Sequence, residues 1–289
     1  MQYTLKNNQI AVTISDAGAE IVSVIKDGAQ YIWHGDPAFW GRHAPVLFPI
    51  VGSLKDKTFI HQGKSYMMNQ HGFARDTVFS LVSQTEDTLW FEMTSSPETF
   101  EKYPFEFKLA VGYTLTGTTV KVMWKVTNTG SETMYFSIGA HPAFSCPLHS
   151  DEKQSDYYLD FHTDHDLTTS VIGEGGLIAA YDQPVCLDHG LLPIHDHLFD
   201  NDALIIEHHQ TQKVSLLTPD KKPYVTVTFD APLFGVWSPV GKHAPFVCIE
   251  PWYGRCDAHD FNGELKDRVY GNTLETGCSF DADYTIEFN

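Results

Sequence analysis

The chain has 289 residues, 19 Lys and Arg against 37 Asp and Glu, and a formal net charge of −18. Hydrophobic residues make up 42% and charged residues 19%, the composition of a globular protein with a sizeable core rather than of a disordered chain. So acidic a balance argues against a nucleic-acid partner, whose phosphates demand clustered Lys and Arg, and against docking on an anionic membrane.

Period-two alternation dominates from the start. Residues 9–15 read Gln-Ile-Ala-Val-Thr-Ile-Ser and residues 20–26 read Glu-Ile-Val-Ser-Val-Ile-Lys, followed by an Asp27-Gly28 turn and a short strand at 30–33. Further strands are predicted at 78–85, 88–95, 105–116, 119–128, 134–138, 203–208, 213–218, 224–229 and 246–249. Many are rich in Val, Ile, Thr, Phe and Tyr, which suit a half-buried pleated surface. A hairpin is expected where Thr116 to Thr119 join two long alternating runs. The helical signal is thin: 96–103 predicts a short helix with Ser95 or Ser96 as cap and Pro97 at its first position. The polar stretch 148–197 predicts loops and short strands over one edge. With strands from end to end and no linker or repeat, the expectation is all-β: one domain over residues 1–289, a large antiparallel sandwich.

No run approaches the roughly 18 apolar residues of a membrane span. Met1 to Ile14 alternate without a continuous apolar region, so no signal peptide is expected. Cys146, Cys186, Cys248, Cys256 and Cys278 are scattered and contain no CxxC pair. Neither a disulfide framework nor a zinc knot is expected, and a reducing cytoplasm is the expected compartment.

Three segments place polar residues inside apolar strands beside Gly or Pro. The first runs from Trp40-Gly41-Arg42-His43 through Ala44–Pro49 to His71-Gly72-Phe73-Ala74-Arg75-Asp76. The second is Ser137-Ile138-Gly139-Ala140-His141-Pro142, and the third is Cys248-Ile249-Glu250-Pro251-Trp252-Tyr253. Glu250 follows an apolar strand and precedes a proline that cannot donate to a ladder, so it is expected at a strand end near aromatics. Desolvation there raises a carboxyl toward a useful general-base range; the alternative is a carboxyl hydrogen-bonded at a sheet edge. His141 is placed similarly, with Gly139 permitting close backbone approach. It is either a proton carrier near neutral pH or a core histidine satisfied by carbonyls.

His71 alone reads as a loop histidine. Of only four arginines, Arg42 and Arg75 fall in the first segment, and their planar forks suit sugar hydroxyls, carboxylates or phosphates. The alternative for Arg75 is a salt bridge to Asp76 or a neighbour. No GxSxG elbow, P-loop, GxGxxG after a strand or HExxH motif is present. His195, Asp196 and His197, or the pair His208 and His209, suggest a metal only superficially. Adjacent strand residues point to opposite faces, so His208 and His209 do not easily share one metal, and no protein-bound zinc is expected in the chain.

Together these segments give the chain a resemblance to the aldose 1-epimerase (galactose mutarotase) family, in its LacX-like branch near the hexose-6-phosphate mutarotases. The matching pieces are Gly18-Ala19-Glu20, Tyr31-Ile32-Trp33-His34-Gly35-Asp36-Pro37 with Trp40, Ala44–Gly52, His71–Asp76, Gly139–Phe144 and Ile249–Gly254, in order along most of the chain. The resemblance implies a galactose mutarotase-like β-supersandwich whose concave face binds a pyranose. It implies interconversion of sugar anomers without metal or cofactor. Glu250 resembles the family's general base on the C1 hydroxyl, and His141 the acid that protonates the ring oxygen. His71 resembles a second active-site histidine. Arg75 and Arg42 resemble substrate binders, and Asp202 (or Asp200) the aspartate on sugar hydroxyls. Trp252, Tyr253 and Phe73 are aromatics that either pack on a sugar's C–H face or belong simply to the core. The chain departs from the galactose mutarotases proper in having Val51-Gly52-Ser53 where they carry an Asn-Arg element, which leaves the sugar open.

The leading expectation is therefore a mutarotase of a hexose or hexose phosphate. The alternative is a non-catalytic sugar-binding or sugar-sensing protein on the same fold. The expected partner is a small sugar or sugar phosphate, not a nucleic acid or membrane, and the oligomeric state is left open. Both readings expect Glu250 and His141 to face each other across a hollow with room for one sugar ring between them.

Overall fold

The alternating runs pair into antiparallel sheets. In the computed structural model, which describes residues 1–289, Phe107–Thr116 and Thr119–Asn128 form the expected hairpin, with Phe107 opposite Asn128 and Thr116 opposite Thr119. They sit inside a nine-stranded sheet. Its spatial order is Leu191–Pro193, Tyr158–Asp160, Lys213–Leu217, Pro223–Phe229, Ser279–Phe288, Thr119–Asn128, Phe107–Thr116, Thr88–Thr94 and Ser80–Gln84. An eight-stranded sheet carries Ile178–Val185, Leu167–Ile172, Leu204–Ile206, Leu233–Trp237, Phe246–Tyr253, Ile138–Ala140 and Val46–Leu47, with Ala143–Ser145 also paired to Phe246–Tyr253. The N-terminal strands Gln2–Lys6, Ile10–Ser15, Glu20–Lys26 and Ala29–Gln30 form a separate four-stranded sheet. The helix Pro97–Lys102 begins as expected: Ser96 accepts from the Thr99 amide and Pro97 occupies the first turn.

The two large sheets pack face to face around one contiguous core of 63 buried residues. Aromatic pairs bridge them, Phe229 to Phe234 at 5.1 Å and Trp124 to Tyr253 at 6.5 Å between ring centres. Because strand side chains alternate, Val247 and Ile249 enter this core. Phe246, Cys248, Glu250 and Trp252 point the other way, onto the opposite face of the eight-stranded sheet, where Phe246 and Cys248 join one small apolar cluster and Trp252 another. That second face holds the site.

Several elements differ from the sequence expectation. The strand beginning at Phe246 does not stop at Ile249 but runs to Tyr253, so Glu250 lies inside a strand rather than at its end. Pro251 is tolerated there. One neighbour, Leu233–Trp237, pairs along the whole stretch, with Gly235 opposite Glu250. The other neighbour lapses at His141-Pro142, between the Gly139–Trp252 and Ala143–Cys248 pairs. The stretch 134–138 divides between two sheets: Met134–Phe136 pairs with Asn272–Leu274, and Ile138–Ala140 joins the eight-stranded sheet. Leu233–Trp237 and Ser279–Phe288 are strands that the alternation search passed over. The polar stretch 148–197 does supply edge strands, to both large sheets.

Candidate active site

The lapse in the ladder brings two of the expected site residues together. His141 and Glu250 approach to 3.3 Å, Nε2 to Oε2, with side chains 8% and 1% exposed. No sugar ring fits between groups so close. They stand side by side on one wall of a cavity of about 290 Å³, also lined by Trp40, Gln70, His71, Arg75, Asp202, Trp237 and Trp252. That volume lies near the lower end of small-ligand pockets, on the order of 300 Å³, and suits a monosaccharide. Burial, with the Asp202 charge adding to it, pushes the Glu250 carboxyl well above the usual carboxylate range. Burial also pulls the His141 imidazole down to about 3, helped by the Arg75 and Arg42 charges. Glu250 Oε2 and His141 Nδ1 are buried without a hydrogen-bond partner. Unsatisfied buried polar atoms of this kind are costly.

Tryptophans hold the imidazole. Trp40 stacks on His141 at 4.7 Å and 27°, and Trp237 meets it edge-on at 5.4 Å and 85°. Trp40 is fixed in turn: its carbonyl accepts from Trp33 Nε1 at 2.8 Å, and Lys242 Nζ donates to the neighbouring Phe39 carbonyl at 2.8 Å. Trp252 lies beside the pair, its indole N–H donating to the Ala140 carbonyl at 3.2 Å. Gly139 and Gly235 make room for that ring. A Cβ on either would lie 2.6 Å or 2.7 Å from a Trp252 ring carbon. The close approach that the glycine of the second segment permits is that of the Trp252 indole.

His71 is held by its own backbone neighbourhood. Its amide donates to the Gly52 carbonyl at 3.0 Å, and the Gly52 amide donates to its Nδ1 at 3.1 Å. An Nδ1 that accepts leaves the proton of the neutral ring on Nε2. Burial first, then the His141, Arg75 and Arg42 charges, hold this imidazole well below its usual range, so it stays neutral. His71 therefore offers the cavity an N–H donor rather than a titrating group.

Arg75 lies in the lining, its Nη2 donating to the Gln70 carbonyl at 2.6 Å and its Nε buried without a partner. Burial, with Arg42 nearby, lowers its pKa to about 10. The salt bridge to Asp76 belongs to Arg42 instead, at 2.8 Å, and Arg42 stands outside the cavity lining. Asp202 faces the cavity from a left-handed turn (φ 70°), one carboxyl oxygen accepting from the Ala203 amide at 2.8 Å. Asp200 is occupied with His197 at 2.8 Å on the surface.

Trp40, Trp237 and Gln70 were not singled out as site residues by sequence reasoning. Trp40 carried a signal, lying within the matched motifs; Trp237 carried none, because it ends an unrecognised strand. His208 and His209 lie past the strand end in left-handed turn conformations, and His208 bonds the Tyr270 hydroxyl at 2.9 Å. Arg255 pairs with Glu207, while buried Arg268 pairs with Asp257 at 2.7 Å and donates to the Arg255 carbonyl, bracing the end of the Glu250 strand. A wider groove of about 430 Å³ near His61 and Lys64 has only 3 hydrophobic residues among its 12 and would bury little of a ligand.

A model of the aldose 1-epimerase family matches residues 1–267. The plasmid-encoded protein LacX of Lactococcus lactis subsp. lactis is 33% identical, the match covering 93% of each chain. The X-ray structure of a galactose mutarotase related enzyme from Lactobacillus acidophilus superposes with a TM-score of 0.95 at 37% identity, over 100% of this chain and 97% of that one. A galactose mutarotase-like protein from Lactobacillus casei ATCC 334 superposes at 0.94 with 31% identity, over 100% of both chains. A cavity on the eight-stranded sheet with a buried Glu–His pair agrees with these likenesses: the chain belongs to the aldose 1-epimerase family, and it is an isomerase of the mutarotase kind.

Proposed function

We propose that the protein interconverts the α and β anomers of a hexose or hexose phosphate in this cavity, with residues 1–289 acting as one domain in the cytoplasm. The observation that carries the reading is the His141–Glu250 approach of 3.3 Å, both groups buried and both facing one monosaccharide-sized space. Ring opening must remove a proton from the C1 hydroxyl and deliver one to the ring oxygen. These two oxygens sit on the same carbon, so an acid and a base standing side by side reach both. The pair needs only one proton between them. In the empty site burial keeps it on Glu250. Sugar hydroxyls and the His71 N–H replace lost solvation when substrate binds, which favours carboxylate and imidazolium. Glu250 then takes the C1 hydroxyl proton while His141 protonates the ring oxygen, and the roles reverse on closure with no net proton change. The face of Trp40 stabilises the imidazolium that this step requires. Asp202, Arg75 and His71 hold hydroxyls, and Trp252 packs against the sugar's C–H surface.

Polarimetry on freshly dissolved α-anomers tests this. Wild type accelerates mutarotation, and Glu250→Gln and His141→Asn each lower kcat by roughly 10²–10⁴-fold, the range for losing a general acid or base. A wild type no faster than the spontaneous rate with every common aldose, or two variants as fast as wild type, would overturn it. Sugar binding by calorimetry without anomer exchange would instead point to the non-catalytic sugar-binding reading.

A further inference from the structure

The side chain of Cys248 has no part in that chemistry, yet it shares its face of the strand with Glu250, two residues away, and packs fully buried beside the proton-carrying pair. One donor atom from each of His141, Cys248 and Glu250 lies within 4.8 Å of the other two. Bond lengths of about 2.0–2.3 Å place the donors of a tetrahedral zinc ion roughly 3.3–3.8 Å apart, so the widest of these separations must close by about 1 Å.

We propose that His141, Cys248 and Glu250 form a binding site for a borderline-soft divalent cation of the zinc class, and that an ion held there inhibits sugar turnover by occupying the acid–base pair. Glu250 Oε2 and His141 Nδ1 are buried without hydrogen-bond partners, and the 3.3 Å contact between His141 Nε2 and Glu250 Oε2 is the one an ion would replace. A thiolate, a carboxylate and a neutral imidazole balance the two positive charges, which makes the filled set neutral in a dry wall. The sulfur selects against magnesium and calcium, which prefer oxygen. Three protein ligands leave a fourth position toward the cavity for water. Binding exchanges one proton from the thiol and one from the carboxyl for the ion, both passing to solvent. The inhibition, though not the binding, rests on the mutarotase reading above.

The test uses the full chain with Cys186→Ser and Cys278→Ser as background, because those two thiols are exposed. Cobalt(II) is titrated as a spectroscopic probe, and zinc is titrated against mutarotation. A near-ultraviolet thiolate-to-cobalt charge-transfer band is expected in this background, abolished by Cys248→Ala. Zinc inhibits the background protein and a chelator restores it. Cys248→Ala keeps its basal mutarotation but needs about 100-fold more zinc or above for the same inhibition, as expected for loss of a ligand. Absence of the band, or equal zinc sensitivity with and without Cys248, overturns the site. The cobalt spectrum needs no variant at position 248 and no turnover. A band in a protein without mutarotase activity would uphold the ion site while removing the sugar reading.

Discussion

His71 occupies a left-handed conformation (φ 66°) that few residues adopt, and its Nδ1 does what an asparagine oxygen also can: accept from the Gly52 amide. His71→Asn should therefore keep the fold, with Tm nearly unchanged in a thermal melt, while losing the Nε2–H donor to the sugar. The expected cost is about tenfold in kcat/KM, the worth of roughly one hydrogen bond. A wild-type rate would remove His71 from substrate binding. The proton-carrying pair gives a second, pH-dependent signature. Burial raises the Glu250 carboxyl, so the folded chain keeps a proton there that the unfolded chain releases above about pH 4.3. Wild type thus loses stability as pH rises from that value toward the raised one. Glu250→Gln carries no such proton, and its advantage should widen by about 1.4 kcal/mol per pH unit across that window. His141 has the opposite sign. Its imidazole is held down at about 3, mainly by burial, so its contribution is lost as pH falls from about 6.5, where the unfolded histidine takes up its proton. His141→Asn should gain relative stability toward low pH. Paired melts from pH 4 to 8 check both slopes, and parallel curves for wild type and Glu250→Gln would contradict the burial argument.

The strand Phe246–Tyr253 gathers the site, and its packing depends on two glycines in its neighbours. Gly139→Ala would push a methyl group to 2.6 Å from the Trp252 ring. Overpacking of this kind typically costs about 1–3 kcal/mol. The ring should tilt toward the cavity, so Gly139→Ala is expected to lower Tm and raise KM together; an unchanged KM would take Trp252 out of the sugar's surroundings. Elements of this sort explain what the sequence shows and what it hides. Alternating strands, the capped helix and polar residues set beside Gly and Pro are local signals, and they mark Glu250, His141, His71 and Arg75; Asp202 has no such signal and comes, with Asp200 beside it, only from the family resemblance. Leu233–Trp237 escapes because both its faces are buried, one in the sandwich core and one in the cavity wall, which erases the alternation. Ser279–Phe288 escapes for a different reason. Three of its five outward positions, Asp281, Asp283 and Glu287, are acidic and poor strand formers on their own, but Asp283 and Asp281 meet Lys121 and Lys125 at 3.0 Å and 3.5 Å on the next strand. The stacking of Trp40 on His141 joins distant parts of the chain and has no local trace.

At the scale of the whole molecule, a net charge of −18 opposes the approach of an anionic sugar, so local cations must decide whether a phosphate is accepted. Two of the four arginines are committed elsewhere, Arg255 to Glu207 and Arg268 to Asp257. Arg75 lines the cavity, while Arg42, outside the lining, pairs with Asp76, the two side chains of that pair being 30% and 59% exposed. An exposed pair of this kind contributes about 0–1 kcal/mol, so Arg42 is released toward a phosphate at little cost. If the natural sugar is phosphorylated, Arg42→Ala should lower kcat/KM for a hexose phosphate by about tenfold to a hundredfold, the worth of one charge-assisted contact at roughly 1.5–3 kcal/mol. Turnover of the neutral hexose should barely change. Raising ionic strength from about 0.01 M to 0.15 M shortens the screening length from about 30 Å to 8 Å. It should therefore help the phosphorylated sugar most in the variant, where the repulsive field is no longer offset. Equal losses on both sugars, with no difference in salt response, would mean that Arg42 serves only to hold Asp76 and the turn behind Arg75, and the substrate would then be a neutral aldose.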